Sequence, residues 1–493
     1  MSRILPLVAI LAIGSTAVLL AGCSQHPTGP IVEIAFSSPS QGEHIVGTTT
    51  VTVSGTLSGA AVTGFSVEVN GAAVQSTYTN TDFEASVTLT GNANTVTVTA
   101  DSVNGPNTAT LQLYYYPYFL DLSTFQQAGY VFGQADLTTG VQSSTVDDAH
   151  FGLTFGDPTF VGGALYLPDT NNNRVLGFDA TDLSSLVSTL GSLPSADFLL
   201  GQSAPGTASD AFHNPQTVRA ANGRFIVNDM YNNRVLVFDS YPASSTASAS
   251  AVVGQSDFSA SGHACTATGL NGNESAFAVG DKLIVADSGN NRVLIYDSIP
   301  TQLGTTSADL VLGQRDFTHC SKNDGYQDNP YGPTARTLYH PTDVWSNGTK
   351  LVVADANNNR VLIWNRFPTS NFQPADVVVG QTGMTGFVPA AAADRMDYPY
   401  MLTSTGSQLF VADAHNNRVL VYNTFPATNG ASADVVLGQA SFTTAAANDD
   451  NQDGHPDSGP TGRTLAFPSG IAVYPGGLIV ADADNYRYLA FTP

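Results

Sequence analysis

One phrase, written six times between Asp169 and Arg487, limits this chain to a repeat fold. Each copy has an apolar run, an Asp, four residues rich in Asn, an Arg and a second apolar run. The copies are LYLPDTNNNRVLGF, FIVNDMYNNRVLVF, LIVADSGNNRVLIY, LVVADANNNRVLIW, LFVADAHNNRVLVY and LIVADADNYRYLAF. Successive copies lie 58 to 69 residues apart. This period is typical of folds that repeat one small β unit around an axis or along a line.

A second marker, Gly-Gln after an apolar pair, also occurs six times. Its copies are Gly133-Gln134, Gly201-Gln202, Gly254-Gln255, Gly313-Gln314, Gly380-Gln381 and Gly438-Gln439. Between markers we find four strand-like runs, which in the fourth unit are residues 342–346, 350–354, 360–365 and 375–379. Pairs such as Asn222-Gly223 and Gly162-Gly163 supply the positive φ of a tight hairpin between the first two runs. Six units of four antiparallel strands predict an all-β, six-bladed β-propeller.

Two observations favour closure of these units into a ring. The second strand of each unit, for example residues 283–286, is apolar at successive positions, so both of its faces must be covered. The repeats begin with a lone fourth-strand marker at residues 130–134 and end after a third strand at Phe491. We therefore expect residues 130–132 to pair with residues 489–491, which completes the last blade and removes exposed sheet edges.

These residues resemble the NHL repeat family, whose blades begin with Pro-x-Gly and continue with a strand ending in Val-Ala-Asp and then Asn-x-Arg. The sixth unit is nearest to that pattern, with Pro468-Ser469-Gly470 followed by Val480-Ala481-Asp482. The third unit departs from it, because residues 269–273 replace the Pro start. The resemblance implies a propeller over residues 126–493.

The Asp and Arg of each phrase are predicted to form a structural clasp. An Asp that ends a strand accepts backbone N–H bonds across the turn, Asn tolerates left-handed φ, and Arg opens the next strand with a planar donor fork. Six of the seventeen Lys and Arg residues are used in this way, which favours a structural role over a ligand-binding one. The pairs are Asp169 with Arg174, Asp229 with Arg234, Asp287 with Arg292, Asp355 with Arg360, Asp413 with Arg418, and Asp482 with Arg487.

In a four-stranded antiparallel blade, the turn between the second and third strands lies on the same side as the connection from the fourth strand to the next blade. The clasp turns and the loops between blades are therefore expected on one face. Three of these loops, residues 134–158, 314–341 and 439–468, are long, whereas residues 202–215 are short. Length variation on one face of a regular scaffold is where recognition is usually built. We expect a binding rim there, with a protein or a glycan as the ligand.

One long loop also predicts a calcium site. Residues 449–457 place side-chain oxygens at every second position and Gly454 at the sixth. The expected ligands are Asp449, Asn451, Asp453, Asp457 and the carbonyl of His455. Pro460 stands where a full EF-hand has a bidentate Glu, so the loop is more similar to short acidic loops of extracytoplasmic β proteins. The alternative is a solvated acidic loop.

The N-terminus predicts a lipid anchor. Arg3 precedes an apolar stretch from residue 4 to residue 20, and Leu20-Ala21-Gly22-Cys23 resembles the lipobox of bacterial lipoproteins. That resemblance implies a signal peptide at 1–22, a lipidated tether at 23–30 and acyl chains on Cys23 that hold the membrane. Ser24 implies sorting to the outer membrane.

Charge and cysteine use agree with an exported protein. The chain carries a formal charge of −23, and removal of residues 1–22, whose one charged side chain is Arg3, makes it −24. Such a charge opposes binding to nucleic acid. Cys265 and Cys320 both fall in inter-blade loops, so a disulfide that closes a loop of 55 residues is one interpretation and two free thiols the other.

Residues 31–118 predict a second β module. Alternating runs at 50–54, 65–69, 83–89, 95–100 and 108–114 resemble the bacterial Ig-like domains of surface lipoproteins. The module lacks Cys and Trp, so packing must depend on Val, Phe and Leu. It is interpreted as a stalk between the anchor and the propeller.

Two function classes remain open at this stage. The first is a membrane-anchored binding or scaffold protein that presents the loop-rich face to its ligand. The second is a metal-dependent propeller lyase or hydrolase, because some NHL-type propellers hold a metal through His residues of the innermost strands. His213 and His340 are the nearest candidates for such a site, and the remaining His residues fall in loops without a shared register.

Overall fold

A computed structural model describes residues 29–38, 43–46, 50–90, 92–115, 119–179, 195–202, 204–324, 332–474 and 476–493 of the chain. These residues form two compact units. The smaller is built mainly from residues 52–87 and 96–110, and the larger contains Leu111–Pro493. The described residues contain strands and short 3₁₀ turns and no α-helix. Among them, no helix has the length and apolar character needed to cross a membrane.

Nine strands precede the propeller. They are β1 Glu33–Ser38, β2 Glu43–Val46, β3 Thr50–Ser58, β4 Gly64–Val69, β5 Ala72–Val74, β6 Ser76–Tyr78, β7 Asp82–Thr88, β8 Asn92–Ser102 and β9 Gly105–Tyr115. One sheet has the order β1-β3-β7-β6 and the other β2-β9-β8-β4-β5. The rings of Phe65 and Phe83, one from each sheet, lie 5.5 Å apart, so side chains from both sheets share a core.

Six four-stranded antiparallel sheets form the blades of the propeller. The first three blades are β11 Thr159–Val161, β12 Ala164–Asp169, β13 Arg174–Asp179 and β14 Phe198–Gly201; β15 Pro215–Ala221, β16 Arg224–Asp229, β17 Arg234–Phe238 and β18 Ala251–Val253; and β19 Ser275–Val279, β20 Lys282–Asp287, β21 Arg292–Tyr296 and β22 Leu310–Leu312. The next two are β23 Pro341–Ser346, β24 Leu351–Asp355, β25 Arg360–Trp364 and β26 Val377–Val379; and β27 Pro399–Ser404, β28 Leu409–Asp413, β29 Arg418–Tyr422 and β30 Val435–Leu437. The sixth is β31 Pro468–Tyr474, β32 Gly477–Asp482, β33 Arg487–Phe491 and β10 Tyr130–Phe132.

The ring closes as the sequence predicts. Strand β10 pairs with β33 and so completes the sixth blade from the other end of the repeat region. The register differs from the prediction by one residue, because Tyr130 lies opposite Ala490 and Phe132 opposite Tyr488, so the partner residues are 488–490 instead of 489–491. The first strands of successive blades contact one another around the ring, and β11 also contacts β31. The first strands are therefore innermost.

Cores between neighbouring blades explain the continuous apolar runs. In β20, Leu283 and Val285 pack into the core shared with the second blade, whereas Ile284 and Ala286 pack into the core shared with the fourth. All four side chains are fully buried. Burial of one such side chain contributes about 1.5–3 kcal/mol, so each blade is stabilised from both sides.

Candidate functional site at the channel mouth

Each repeated phrase folds into a strand, one 3₁₀ turn and the next strand. The six turns are Thr170–Asn172, Met230–Asn232, Ser288–Asn290, Ala356–Asn358, Ala414–Asn416 and Ala483–Asn485. The residue after each turn has a left-handed backbone, with φ between 51° and 57°. It is Asn in five blades and Tyr486 in the sixth. Asn adopts this conformation at low cost, which accounts for the Asn-rich spacing.

The Asp and Arg of every phrase form a buried ion pair. Arg Nε lies 2.6 to 2.7 Å from Asp Oδ2 in all six blades. In the fifth blade, Arg418 Nη2 also donates to the carbonyls of Ala392 and Arg395 in the loop before the blade, and Nη1 donates to Phe442 in the loop after it. Burial raises the pKa of Asp413, and the charge of Arg418 opposes that rise. The guanidinium groups of blades two to six thus each join two inter-blade loops on one face, whereas that of Arg174 donates to the loop before the first blade.

The Asn that directly precedes the Arg of the phrase links neighbouring blades in blades one to five. Its Oδ1 accepts a backbone N–H from the residue at which the next blade begins, at 2.7 to 3.0 Å. The pairs are Asn173 with Asn214, Asn233 with Gly272, Asn291 with His340, Asn359 with Tyr398, and Asn417 with Phe467. We call the five receiving residues the start residues. They define equivalent positions in blades two to six, although the third blade lacks the Pro that follows the others.

The start residues share an unusual backbone. All five have positive φ, between 52° and 62°. Asn214 and Gly272 adopt this conformation readily, but His340, Tyr398 and Phe467 do not. A side chain other than Gly or Asn in the left-handed region costs on the order of 1 kcal/mol or more, and such residues cluster at functional sites.

The residues two positions after the start residues lie in, or directly before, the innermost strands of their blades, next to the central channel of the propeller. These inner-ring residues are Gln216, Glu274, Thr342, Tyr400 and Ser469. The start residues and inner-ring residues lie at the end of the channel on the face that carries the Asp–Arg turns and the inter-blade loops. We call this region the channel mouth.

Aromatic rings cluster on one side of the channel mouth. Tyr398 stacks on His415 with ring centroids 4.6 Å apart and on Tyr400 at 5.8 Å. Phe467 lies 5.9 Å from both Tyr400 and His415. Phe155, from the loop that leads into the first blade, meets Phe467 edge-on at 5.9 Å. The fifth and sixth blades therefore contribute a continuous aromatic cluster.

Glu274 is the acidic residue of the inner ring. Its side chain is 5% exposed, and Oε1 lies 3.4 Å from Nε2 of His340. Its Oε2 has no hydrogen-bond partner. Burial raises the pKa of Glu274 to about 8, although a hydrogen bond with Tyr400 opposes that rise. Burial also lowers the pKa of His340, so at neutral pH the two side chains form an uncharged pair.

Below the mouth, polar side chains tie the inner strands together. Arg219 pairs with Asp157 of the first blade. Asp343 accepts a hydrogen bond from Ser275 Oγ at 2.5 Å and from the backbone of Leu402 at 2.8 Å, which joins blades three, four and five. Burial and the neighbouring Asp157 raise the pKa of Asp343 to about 7, against the charge of Arg219.

The two His residues considered as metal ligands have different partners. The ring of His213 packs edge-on against Tyr231 at 5.0 Å, whereas His340 faces Glu274. Across the described residues, no three His, Cys, Asp or Glu side chains are grouped as a metal site.

The acidic loop at 449–457 is held by its own hydrogen bonds. Asp449 is buried and accepts the backbone N–H groups of Asp453 and Gly454 at 3.1 and 2.9 Å. Asp457 accepts those of Asp450 and Asn451 at 2.8 and 3.2 Å. Calcium binding stays a prediction, which a calorimetric titration with Ca²⁺ tests.

Cys265 and Cys320 form a disulfide with Cα atoms 6.3 Å apart. It connects the loop before the third blade to the loop after it. Arg292 bridges the same two loops, since it donates to the carbonyls of Thr266 and Phe317. Cys23 lies outside the described residues.

Sequence reasoning missed Glu274, Tyr398 and Tyr400. One signal was available, because the residues before the Pro of four blades are Asn214, His340, Tyr398 and Phe467. Three of these four carry an aromatic ring where the repeat elsewhere has Asn or Gly.

No protein-family model and no curated protein matches this chain. Comparison with solved structures gives similarities at low scores. An auxiliary nutrient binding protein from Bacteroides ovatus ATCC 8483 is 13% identical over 94% of this chain and 98% of its own, with a TM-score of 0.40. A protein of the same description from Bacteroides thetaiotaomicron VPI-5482 gives 13%, 94%, 98% and 0.41. The computationally designed Ika8 protein is 8% identical over 82% of this chain and 94% of its own, with a TM-score of 0.34. Similarities of this size do not assign a function.

Proposed function

We propose that this chain is a lipid-anchored binding protein of the bacterial cell envelope, and that the channel mouth with its surrounding loops binds a glycan. The lipobox-like sequence that ends at Cys23 supports the anchor, and the alternating runs of residues 31–118 support a stalk. The net charge of −23 disfavours nucleic acid as the ligand.

One observation carries the binding site. His340, Tyr398 and Phe467 hold aromatic side chains at start positions where the backbone favours Asn or Gly. No contact of the clasp requires a ring there, since the backbone N–H groups of Asn214 and Gly272 donate the same hydrogen bond to the preceding blade. The free-energy cost of positive φ at these three residues is explained if their rings bind a ligand.

The chemistry of the mouth suits a sugar. Aromatic faces offer flat apolar surfaces, and the inner ring adds polar groups from Gln216, Glu274 and Thr342 at their edge. A site with few polar groups among aromatic side chains fixes the orientation of a ligand that has both apolar and hydroxylated faces. The long loops at 134–158 and 439–468, with the described residues of the loop at 314–341, extend this surface around the mouth.

The test is a binding screen followed by one substitution that is mild for the backbone. The whole chain is screened on a glycan array, and the affinity of each hit is measured by calorimetry. Tyr398→Asn removes the ring but keeps a residue that accepts φ of 57°. We expect it to remain folded and to lose at least tenfold in affinity.

Phe372→Asn is the matched control. Phe372 also has positive φ, 56°, but lies against β22 at the outer edge of the ring, where its N–H donates to Val311. This variant should bind as the unchanged protein does. The proposal is overturned if no glycan binds, or if Tyr398→Asn and Phe372→Asn bind equally well.

A further inference from the structure

Glu274 is the one acidic residue at the inner-ring position of blades two to six. At the same position of the other four blades stand Gln216, Thr342, Tyr400 and Ser469, all uncharged. The carboxyl of Glu274 is almost fully buried, and its Oε2 lacks a hydrogen-bond partner. Buried polar atoms are nearly always hydrogen-bonded, so an orphan carboxyl oxygen at a channel mouth points to a ligand group.

No cation of the protein is positioned to pair with Glu274 among the described residues. The groups that face it are the imidazole of His340 and the hydroxyls of Tyr398 and Tyr400, all uncharged at neutral pH. The nearby Arg219 is paired with Asp157. The ammonium of Lys322 lies over the ring of Tyr339 at 4.7 Å, outside the inner ring.

A second buried oxygen at the channel mouth also lacks a partner. Gln216, at the same position of the neighbouring blade, donates its Nε2 to Asn214 at 2.8 Å, while its buried Oε1 has no partner. Together with Oε2 of Glu274, this makes two buried oxygens that require N–H or O–H groups from a ligand. An ammonium group supplies three donors and a positive charge, and tyrosine rings attract that charge through their faces.

We propose that Glu274 binds the protonated amine of an amino sugar at the channel mouth. This assignment deepens the glycan-binding function proposed above and rests on it. The sugar ring contacts the aromatic cluster of Tyr398, Tyr400 and Phe467, and its amine points across the channel to the third blade. A hydroxyl group at that place would satisfy an acceptor but would supply no positive charge to stabilise the ionised form of the carboxyl.

Matched sugars test the charge. Calorimetry on the whole chain compares glucosamine oligosaccharides with N-acetylglucosamine oligosaccharides of the same length and linkage, which differ in the amine alone. We expect the amine form to bind at least tenfold more tightly. In Glu274→Gln, which keeps the shape of the side chain, that preference should fall to near unity.

Proton release gives a second readout that a purely structural role would not move. In the protein without ligand, the carboxyl of Glu274 is mostly protonated at pH 7, because its pKa is about 8. Pairing with an ammonium group should release that proton. Titrations in buffers of different ionisation enthalpy should show release of nearly one proton with the unchanged chain and none with Glu274→Gln.

The failures of the two proposals are distinguishable. Neutral glycans bound with loss in Tyr398→Asn, but without amine preference, would overturn the amino-sugar assignment and leave the binding function standing. The assignment also fails if Glu274→Gln keeps the preference, or if Nα-acetyl-lysine amide binds more tightly than glucosamine, since the amine would then come from a protein. A chain that binds no glycan overturns both.

Discussion

The Oδ1 of Asn233, in the second blade, accepts the backbone N–H of Gly272, at the start of the third, over 2.7 Å. Both residues have left-handed backbones, with φ of 51° and 52°. The same relationship recurs at the four other joints between blades one and six, whereas the joint between the sixth and first blades has Tyr486 in place of Asn. The Asn that precedes the Arg of the repeat therefore has two functions, since it permits the turn and holds the next blade.

Removal of this amide should loosen the joint. Asn233→Gly keeps a residue that tolerates positive φ but leaves the N–H of Gly272 without its acceptor, which should lower the free energy of unfolding by about 1–2 kcal/mol. Asn233→Asp retains the acceptor and should cost less.

Urea unfolding followed by tryptophan fluorescence measures the free energy of unfolding of these variants, because both tryptophans, Trp345 and Trp364, are in the propeller. Asn222→Gly, in an exposed hairpin with φ of 49°, is the control, and an equal loss there would contradict the role of Asn233.

The clasp should not tolerate lysine. Arg418 is fully buried and donates to Asp413, to two carbonyls of one loop and to one of the next. Lysine cannot reproduce that fork. We expect both Arg418→Ala and Arg418→Lys to lose about 3–5 kcal/mol, because each leaves buried acceptors and a carboxylate without a matching partner. Recovery of wild-type stability in Arg418→Lys would show that charge alone suffices. Glycan binding should survive in whichever variant stays folded.

The stability of the propeller should depend on pH through Glu274. Its pKa is raised from 4.5 to about 8 in the folded chain, so between these values the folded state binds a proton that the unfolded state has released. Stability therefore falls as pH rises, by about 1.4 kcal/mol per unit for this one group. Glu274→Gln cannot lose this proton, and its stability relative to the unchanged chain should rise by a few kcal/mol between pH 5 and pH 8. Parallel stability curves for the two proteins would contradict the buried environment of Glu274.

The disulfide should stabilise the third blade. Closure of a 55-residue loop by Cys265 and Cys320 contributes roughly 4 kcal/mol in the chain-entropy description. A reductant should lower the urea midpoint of the unchanged chain and leave that of Cys265→Ser/Cys320→Ser unaffected. A midpoint in the unchanged chain that does not respond to reduction of the bond, verified by thiol titration, would contradict this contribution.

The repeat pattern was sufficient to predict the blades, because each copy contains its own turn chemistry. The number of blades, the partner of β10 and the four strands of each blade all follow from Asp, Asn, Arg and Gly at fixed spacings. Strand bounds differ by one or two residues, as in β26, which was expected from residue 375 and begins at Val377. Strand ends are set by hydrogen bonds to the neighbouring strand, which the sequence of one strand does not contain.

The channel mouth was harder to predict, for a physical reason. The pairing of β23 with β24 shifts register between Pro341 and Asp343, and the same irregularity follows Pro215, Pro399 and Pro468. A bulge of this kind interrupts the two-residue alternation of side chains, so counting from the Pro does not reveal which residues point into the channel. Glu274 is further hidden because its blade lacks the Pro.

The pairing of Tyr130 with Ala490 has a consequence for biogenesis. As the polypeptide is synthesised, β10 leaves the ribosome long before β33 exists. A nascent or truncated molecule therefore displays an unpaired strand at each extremity, open to proteases and to other chains. The propeller becomes resistant to proteolysis and aggregation only when β33 has been made and has paired with β10. Loss of the residues of β33 should therefore lower the yield of folded protein as much as disruption of any blade.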